Sequence, residues 1–481
     1  MAIPTEPGAI KTGAAAFPSA AEISAENAKG SSYGLRREAL SPMETLAQSI
    51  ATVAPTATPV ATIPLVCALA GNGTWLAYVL ALAAILLVAW CISRFARYSS
   101  SPGSLYSYAS MILPPWLGAI AGWSLLLAYV GTGASVLGGF YHYANLLLRD
   151  VTGHMTSTVL LSTIVTLISM WITWRDVKIS TRLMLWIEAV SVTLIVIVVV
   201  LVLARHGLHG DAPQLHLRGM TGSGLRLGLV LALFSFCGFE SATTLGAEAR
   251  EPLKTIPRAV IQCAIVGGAF FTICAYTEVL GFRMAGQELG TSDAPLHVLA
   301  GVGGAPLLGV LIDIGALVSL FAGMLACITA AARVLLLMAH NGLSHGSLRG
   351  THARNETPTG AIIVTGLAAF LPVAILAARG ASGLDVYGWM GSLGTYGFIV
   401  TYGLVCFALP RYLRDHHGIS GAATRIIPSL AVLAMLAALV GNLYPVPEGP
   451  YGKLPYIYLG YLAAVMLWFA FHSRAKATAR D

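Results

Sequence analysis

Two short stretches inside long apolar runs carry the residues of this 481-residue chain that could bind a small charged molecule. Residues 54–59 read APTATP, and each of the two prolines removes a backbone donor, so a continuous helix is not expected there. Residues 234–240 read FSFCGFE, with a glycine and a carboxylate inside an otherwise apolar helix. An interrupted helix leaves backbone N–H and C=O groups that can bind a carboxylate and an ammonium group.

The composition predicts that these stretches lie within a membrane. Apolar residues make up 56% of the chain and charged residues 10%, and the mean hydropathy is +0.76. Soluble proteins contain about 25% charged residues, and a bilayer-crossing helix needs about 20 mostly apolar residues. Charge-free stretches of that length recur along the chain. The pattern excludes a soluble enzyme and a nucleic-acid-binding module.

Splitting the apolar runs at glycine, proline and charge clusters predicts an all-α integral membrane protein with about twelve spans. The predicted spans lie near residues 44–70, 73–94, 114–147, 156–174, 184–204, 225–248, 257–282, 305–338, 359–378, 384–409, 424–444 and 455–472. An even number of spans places both termini on one side of the membrane. That side would hold 21 of the 28 Lys and Arg residues, so it is predicted to be cytoplasmic.

The ends of the chain are predicted to be tails. Residues 1–40 are polar and lack an apolar core behind a basic start, so we interpret them as a disordered cytoplasmic tail rather than a signal peptide. Residues 473–481 form a second predicted cytoplasmic tail. Residues 41–472 are then the helical domain, in a bacterial-type plasma membrane.

Three ordered motifs carry a family resemblance. Residues 236–240 (FCGFE), 247–252 (AEAREP) and 256–259 (IPRA) resemble the helix 6 to 7 signature of the amino acid-polyamine-organocation (APC) superfamily of permeases. Residues 101–108 (SPGSLYSY) look like the region leading into helix 3 of these permeases, and residues 330–333 (AAAR) look like the end of helix 8. The resemblance extends over nearly the whole chain and favours the bacterial amino acid permease type.

The resemblance implies a five-plus-five inverted repeat of the LeuT-like kind, with helices 1 and 6 broken and two extra helices. The repeats would occupy about 44–204 and 225–409, and the extra helices about 424–472. Interruptions at corresponding positions of two halves are typical of secondary transporters that bind substrate near the bilayer midplane. The chain is therefore expected to move an amino acid across the plasma membrane by alternating access, as a symporter or an exchanger.

The resemblance also implies a substrate site at the two breaks. Substrate would contact backbone and side chains of Pro55, Thr56, Ala57, Thr58, Phe234, Ser235, Cys237, Gly238 and Phe239. Phe234 stands where similar permeases carry an aromatic gate over the substrate. The sequence departs from the family at Pro59, which has no amide to offer a carboxylate. That departure leaves a polyamine or another organic amine as the alternative substrate.

Ionisable residues inside the bilayer are costly and are functional candidates by default. Glu240, Glu188 and Asp313 are the candidate coupling or structural carboxylates, and Ser319 is a candidate sodium ligand. Glu278 is expected to extend its carboxylate to the outer surface near Arg283, and Glu188 to form an ion pair near Lys178 and Arg182. Helix 5 has no internal lysine, since Ser191 occupies the position where some similar permeases carry one. Proton coupling through such a lysine is therefore not predicted. Substrate exchange, sodium coupling and coupling through a proton carried by a carboxylate remain alternative mechanisms.

The remaining function classes find less support in the sequence. No cofactor, metal site or catalytic residue is predicted, because no HExxH pattern or phosphate-binding loop occurs and no His, Cys or carboxylate groups converge at one depth. The expected partners are a small-molecule substrate and the lipid bilayer, without nucleic acid. A membrane sensor that binds an amino acid without transporting it is the less favoured alternative.

Overall fold

A computed structural model describes residues 33–207, 210–444, 446 and 449–478, with the side chains of 178, 179 and 472–478 left undescribed. Within this part the chain is helical and forms no strand. The α-helices are α1 (Pro42–Val53), α2 (Ile63–Ala70), α3 (Thr74–Ala96), α4 (Ser104–Ser110), α5 (Pro115–Thr152), α6 (Thr158–Arg175), α7 (Val177–His206), α8 (Ala212–Leu215), α9 (Gly222–Phe234), α10 (Pro252–Ala285), α11 (Pro295–Val302), α12 (Pro306–His340), α13 (Thr359–Ala378), α14 (Gly383–His417), α15 (Ala423–Leu443) and α16 (Leu454–Thr478).

The membrane-spanning helices confirm the predicted fold class. In the described residues, ten helical stretches are long and apolar enough to cross a bilayer. The first, Pro42–Ala96, contains two predicted spans that are separated at the short 3₁₀ turn Gly71–Gly73. The sixth predicted span is divided into the 13-residue α9 and a 3₁₀ turn, Ser241–Leu245.

Most of the predicted N-terminal tail, residues 1–32, lies outside the described residues, as do residues 479–481 of the predicted C-terminal tail. The packed part of the chain begins earlier than residue 41. Leu35 and Leu40 are buried, and the backbone of Leu40 bonds to Glu248 and Arg250 in both directions. At the other end α16 continues to Thr478, beyond the predicted boundary at 472.

The first span begins where a capping box fixes its N-terminus. Ser41 Oγ accepts the N–H of Glu44, and the Glu44 carboxylate accepts the N–H of Ser41 at 2.8 Å. α1 then ends at Val53, because Ala54 adopts a left-handed φ of 47° and Pro55 follows it. Helical structure begins again with a π-helical turn, Thr58–Thr62, which continues into α2.

The sixth span breaks at a glycine. After α9 the residues up to Glu240 form turns, and Gly238 has a φ of 92°. A Cβ at Gly238 would lie 2.2 Å from Thr52 Cγ2, so glycine is required for both the backbone angle and the close approach to α1. Thr52 Oγ1 and Ser241 Oγ are 2.7 Å apart, so hydrogen bonds join the two broken spans directly.

Long helices enclose the two breaks. α5 packs along α14 and α12, and α10 packs along α3. Ser135 Oγ on α5 donates to the carbonyl of Tyr387 on α14 at 2.6 Å. At the end predicted to be cytoplasmic, Arg333 of α12 forms a fully buried ion pair with Glu248, with Nε to Oε2 at 2.5 Å. The breaks therefore lie inside a helical scaffold that is fixed at one end by a buried charge pair.

Candidate functional site

A small cavity lies where the two breaks face each other. It measures about 10 Å³, room for about one water-sized sphere. The lining residues come from spans 1, 3, 6 and 10, and they are Thr52, Val53, Ala54, Ala57, Thr58, Thr132, Val136, Phe234, Ser235, Cys237 and Tyr387. No charged side chain is among them. One lining hydroxyl, Thr132 Oγ1, is buried and has no hydrogen-bond partner in the described structure.

The ends of the half-helices surround this cavity. α1 and α9 both end beside it, at Val53 and Phe234, and the negative ends of their dipoles favour a cation there. The helical turn that begins at Thr58 presents a positive end, which favours an anion. One site thus has complementary poles for an ammonium group and a carboxylate.

Phe234 and Tyr387 form an aromatic pair on the cavity wall. Their ring centroids are 5.6 Å apart in an edge-to-face arrangement. The Phe234 ring lies against Gly391, where a Cβ would come within 2.3 Å of Phe234 Cζ. Tyr387 is held in turn by Thr62, with their hydroxyl oxygens 2.8 Å apart. The predicted gate residue therefore lies on the cavity and contacts a second aromatic side chain from α14.

The structure brings five of the nine predicted substrate residues to the cavity: Ala57, Thr58, Phe234, Ser235 and Cys237. The other four, Pro55, Thr56, Gly238 and Phe239, belong to the breaks but do not line it. Phe239 instead packs on Tyr402, with centroids 5.5 Å apart. The N–H of Ala57 donates to the carbonyl of Ala54 at 2.8 Å, so this amide is already engaged.

Glu240 is held by two tyrosines. Tyr129 donates to Oε1 at 2.8 Å, and Tyr402 donates to Oε2 at 2.5 Å. The Tyr402 hydroxyl also accepts the N–H of Gly238 at 3.4 Å. All three side chains have at most 2% exposure. The carboxylate therefore fixes the second break to α5 and α14, and both of its oxygens are satisfied.

Glu188 and Ser319 form a single pair between α7 and α12. Ser319 donates to Glu188 Oε1 at 2.6 Å, whereas Oε2 is buried without a hydrogen-bond partner in the described structure. The predicted ion pair of Glu188 near Lys178 and Arg182 is wrong, because neither Glu188 oxygen contacts a basic group in the described structure and Arg182 binds Glu44 at 2.6 Å. One turn further along α7, Ser191 donates to the carbonyl of Gly315.

The two acidic residues near the predicted outer surface differ from each other. Asp313 Oδ2 lies 2.8 Å from His297 Nδ1, which gives Asp313 a partner in α11. Glu278 is fully buried, and neither oxygen has a hydrogen-bond partner within the described residues. The prediction that Glu278 extends to the outer surface near Arg283 is wrong, because its side chain is fully buried. Five residues place two side chains roughly 140° apart around a helix, and Arg283 instead binds Asp211.

Sequence reasoning missed the site residues that lie far along the chain. Thr132 and Val136 on α5, Tyr387 on α14, and the tyrosines that hold Glu240 were not predicted. Thr132 and Val136 are four residues apart and so share one face of α5, but that spacing is common in any buried helix. No group of three or more His, Cys, Asp and Glu residues in the described ranges could hold a metal ion.

Comparisons with known proteins agree with this geometry. The amino acid permease family model matches residues 44–480. The chain is 28% identical to the methylthioribose transporter of Bacillus subtilis (strain 168), over 64% of this chain and 69% of that protein. It is 26% identical to the branched-chain amino acid permease BcaP of Lactococcus lactis subsp. cremoris, over 68% of this chain and 74% of the relative. The low-affinity putrescine importer PlaP of Escherichia coli (strain K12) is 27% identical over 62% of this chain and 66% of that relative.

Two solved structures share the fold. A Na⁺-coupled sialic acid symporter superposes with a TM-score of 0.53 at 13% identity, over 88% of this chain and 95% of the other. MhsT in complex with L-phenylalanine superposes with a TM-score of 0.53 at 16% identity, over 84% and 98%. The fold is thus the LeuT-like arrangement of inverted repeats. With a family model that covers almost the entire helical domain, this chain is a membrane transporter that belongs to the amino acid permease family.

Proposed function

We propose that this permease carries a neutral amino acid with an apolar side chain. The observation that carries the proposal is the cavity at the two helix breaks, which no charged residue of the described structure lines. A substrate with one ammonium group and one carboxylate would be neutral overall, and its two charges would be met by helix ends rather than by side chains.

The walls of the cavity suit an aliphatic or aromatic side chain. Val53, Val136, Phe234 and Tyr387 supply apolar surface, and the unpartnered hydroxyl of Thr132 supplies a hydrogen bond. A cavity of about 10 Å³ cannot hold an amino acid, so the side chains around it must separate when substrate enters. The proposed opening is a movement of the Phe234 ring away from Tyr387, since both rings line the cavity.

A decarboxylated amine is the second candidate substrate. Pro59 lacks an amide, and the N–H of Ala57 is engaged with Ala54, so fewer backbone donors remain for a carboxylate. The relatives include both a branched-chain amino acid permease and a putrescine importer. The amino acid is favoured because a diamine would need a second anionic partner at the cavity.

We assign coupling to the pair of Glu188 and Ser319. Glu188 Oε2 has no hydrogen-bond partner in the described structure, so it can accept a proton. The carboxylate oxygen of Glu188 and the hydroxyl oxygen of Ser319 are also suitable ligands for sodium. Met184 of α7, Ala322 of α12 and Ala51 of α1 share one buried apolar cluster, which gives this pair a packed connection to the first broken span. No other cofactor is proposed, and no catalytic role.

The proposed setting is a bacterial plasma membrane with both termini cytoplasmic. The positive-inside rule supports this orientation, because 21 of the 28 Lys and Arg residues fall on the predicted side that holds both termini.

Uptake into proteoliposomes tests the function. Labelled leucine, phenylalanine and putrescine would be offered with a proton gradient, with a sodium gradient, or with unlabelled substrate inside. Accumulation of leucine or phenylalanine under one gradient indicates a symporter, and uptake that requires internal substrate indicates an exchanger. Uptake of putrescine but of neither amino acid would support the alternative function of an amine permease. Binding without flux under every condition would support the alternative function of a membrane sensor.

A further inference from the structure

A second cavity lies at the end of the molecule predicted to be cytoplasmic, and it shares no lining residue with the cavity at the helix breaks. It has a volume of about 460 Å³, within the range of ligand-binding pockets. The lining residues come from the N-terminal segment, the end of α6 and the loop before α13, and they are Arg36, Trp174, Arg175, Asp176, His352, Arg354 and Asn355.

The charge on this cavity is positive and only partly neutralised. Arg36 binds Asp176 at 3.2 Å and lies 3.9 Å from Glu356. Arg175 and Arg354 have no acidic partner in the described part of the chain. These two arginines therefore leave a net positive site with guanidinium groups available to an anion.

Hydrogen bonds shape the rest of the wall. His352 Nδ1 accepts the N–H of Asn355 at 3.1 Å, so the neutral ring carries its proton on Nε2. Asn355 Nδ2 and Thr357 Oγ1 both donate to the carbonyl of Trp174, at 3.1 and 2.6 Å. The loop is thereby fixed to the end of α6, and the cavity is formed by ordered groups.

An exposed apolar stripe leads along α6 to this cavity. Leu160, Ile164, Leu167, Ile168 and Trp171 are each more than two-fifths exposed and fall on one face of the helix. Arg175 follows one turn after Trp171, and its guanidinium carbon lies 5.4 Å from the centre of that ring. The stripe is suited to acyl chains, and the arginine marks where a headgroup would lie.

We infer that this cavity binds the headgroup of an anionic phospholipid, with the acyl chains along the exposed face of α6. The inference is independent of the proposed substrate but uses the proposed orientation, which places the cavity at the cytoplasmic leaflet, where anionic lipids attract arginine. A lipid is favoured over a free anion because Arg175 lies on Trp171 at the end of the exposed apolar face of α6, where a headgroup can reach the cavity from the bilayer.

Binding of lipid to the purified full-length protein tests the site. Detergent-solubilised protein would be titrated with short-chain phosphatidylglycerol, with phosphatidylcholine, and with inorganic phosphate, and bound lipid counted by native mass spectrometry. The variant Arg175→Gln/Arg354→Gln removes the two unpaired charges. The matched control Arg411→Gln/Arg414→Gln removes two exposed arginines of the same predicted side, outside the cavity.

The expected result is saturable binding of phosphatidylglycerol that is about thirtyfold weaker in the cavity variant, since each arginine near an anionic surface contributes roughly fivefold. The control variant should bind as the unmodified protein does. Equal binding of phosphatidylglycerol by the cavity variant and the control variant would contradict a lipid site in this cavity. Competition by inorganic phosphate at equal concentration, or equal binding of phosphatidylcholine, overturns the assignment to an anionic lipid. An unchanged thermal unfolding midpoint of the cavity variant in detergent checks that it is folded, and this measurement requires no substrate.

Discussion

The two helix breaks of this permease are made in different ways. The first is made by prolines after Ala54, and the buried hydroxyl of Thr56 beside it has no hydrogen-bond partner in the described structure. The second is made by Gly238 and is fixed by Glu240, whose two oxygens both accept tyrosine hydroxyls. The second break is therefore held by side-chain hydrogen bonds on both of its carboxylate oxygens, whereas the first leaves a buried hydroxyl unsatisfied next to the cavity-lining residues Ala57 and Thr58.

Replacement of the carboxylate at the second break should have the largest effect. Glu240→Leu strands the hydroxyls of Tyr129 and Tyr402, and each unmade buried hydrogen bond costs about 1–3 kcal/mol. We expect a loss of about 2–6 kcal/mol in the free energy of unfolding, measured in detergent, and loss of uptake. Glu188→Leu is the matched control, because it strands one serine hydroxyl and removes a carboxylate that was itself only half satisfied. Equal destabilisation by both variants would contradict the contrast between a saturated and a half-saturated carboxylate.

Glu188→Gln tests whether the half-satisfied carboxylate acts on the first break. The amide keeps the bond from Ser319 but cannot take up a proton or balance a cation. Coupling between two sites is typically about 5- to 150-fold in affinity, so gradient-driven accumulation should fall by at least fivefold while counterflow exchange persists. A loss of both activities to the same degree would mean that Glu188 serves the fold alone.

Phe234→Ala tests the gating role of this residue, as distinct from the structural role of Glu240 at the same break. Loss of the ring removes apolar contact with the substrate worth about 1.5–3 kcal/mol, so KM should rise by about tenfold or more. Phe270→Ala, on a half-buried phenylalanine of α10 away from the cavity, is the control. Unchanged uptake kinetics would remove Phe234 from the gate.

The smallest expected effect belongs to the first break. Thr58→Val keeps the shape and removes one hydroxyl, a hydrogen bond worth about 0.5–1.5 kcal/mol. The KM for an amino acid should rise about two- to tenfold, with a smaller change for its decarboxylated amine. Measured side by side in proteoliposomes, equal changes for both compounds would argue against a carboxylate at Thr58.

The sequence predicted the spans and both breaks because their signals are local. Two prolines in an apolar run, or a glycine beside a carboxylate, interrupt a helix wherever the rest of the chain lies. The partners of those breaks could not be predicted in the same way. Tyr129 and Tyr402 are ordinary residues of long apolar helices, and only the packing of α5 against α14 brings both hydroxyls to Glu240.

The errors in placing charged side chains have the same origin. Glu278 and Arg283 are close in sequence but point to different sides of α10, and Arg283 reaches Asp211, 72 positions away. Glu188 is only two turns from Arg182, yet Arg182 turns to Glu44 at the start of α1. Nearness along a chain is therefore a poor guide to ion pairs where helices offer closer partners across an interface.

The backbone pairing of Leu40 with Glu248 and Arg250 has a consequence for biogenesis. Ribosomes add about 5–20 residues per second, so roughly 10–40 s of synthesis separates Leu40 from the segment that holds it. During that interval the first span has entered the membrane without its final anchor. The order of synthesis thus delays closure of this end of the transporter until the second repeat has begun to insert.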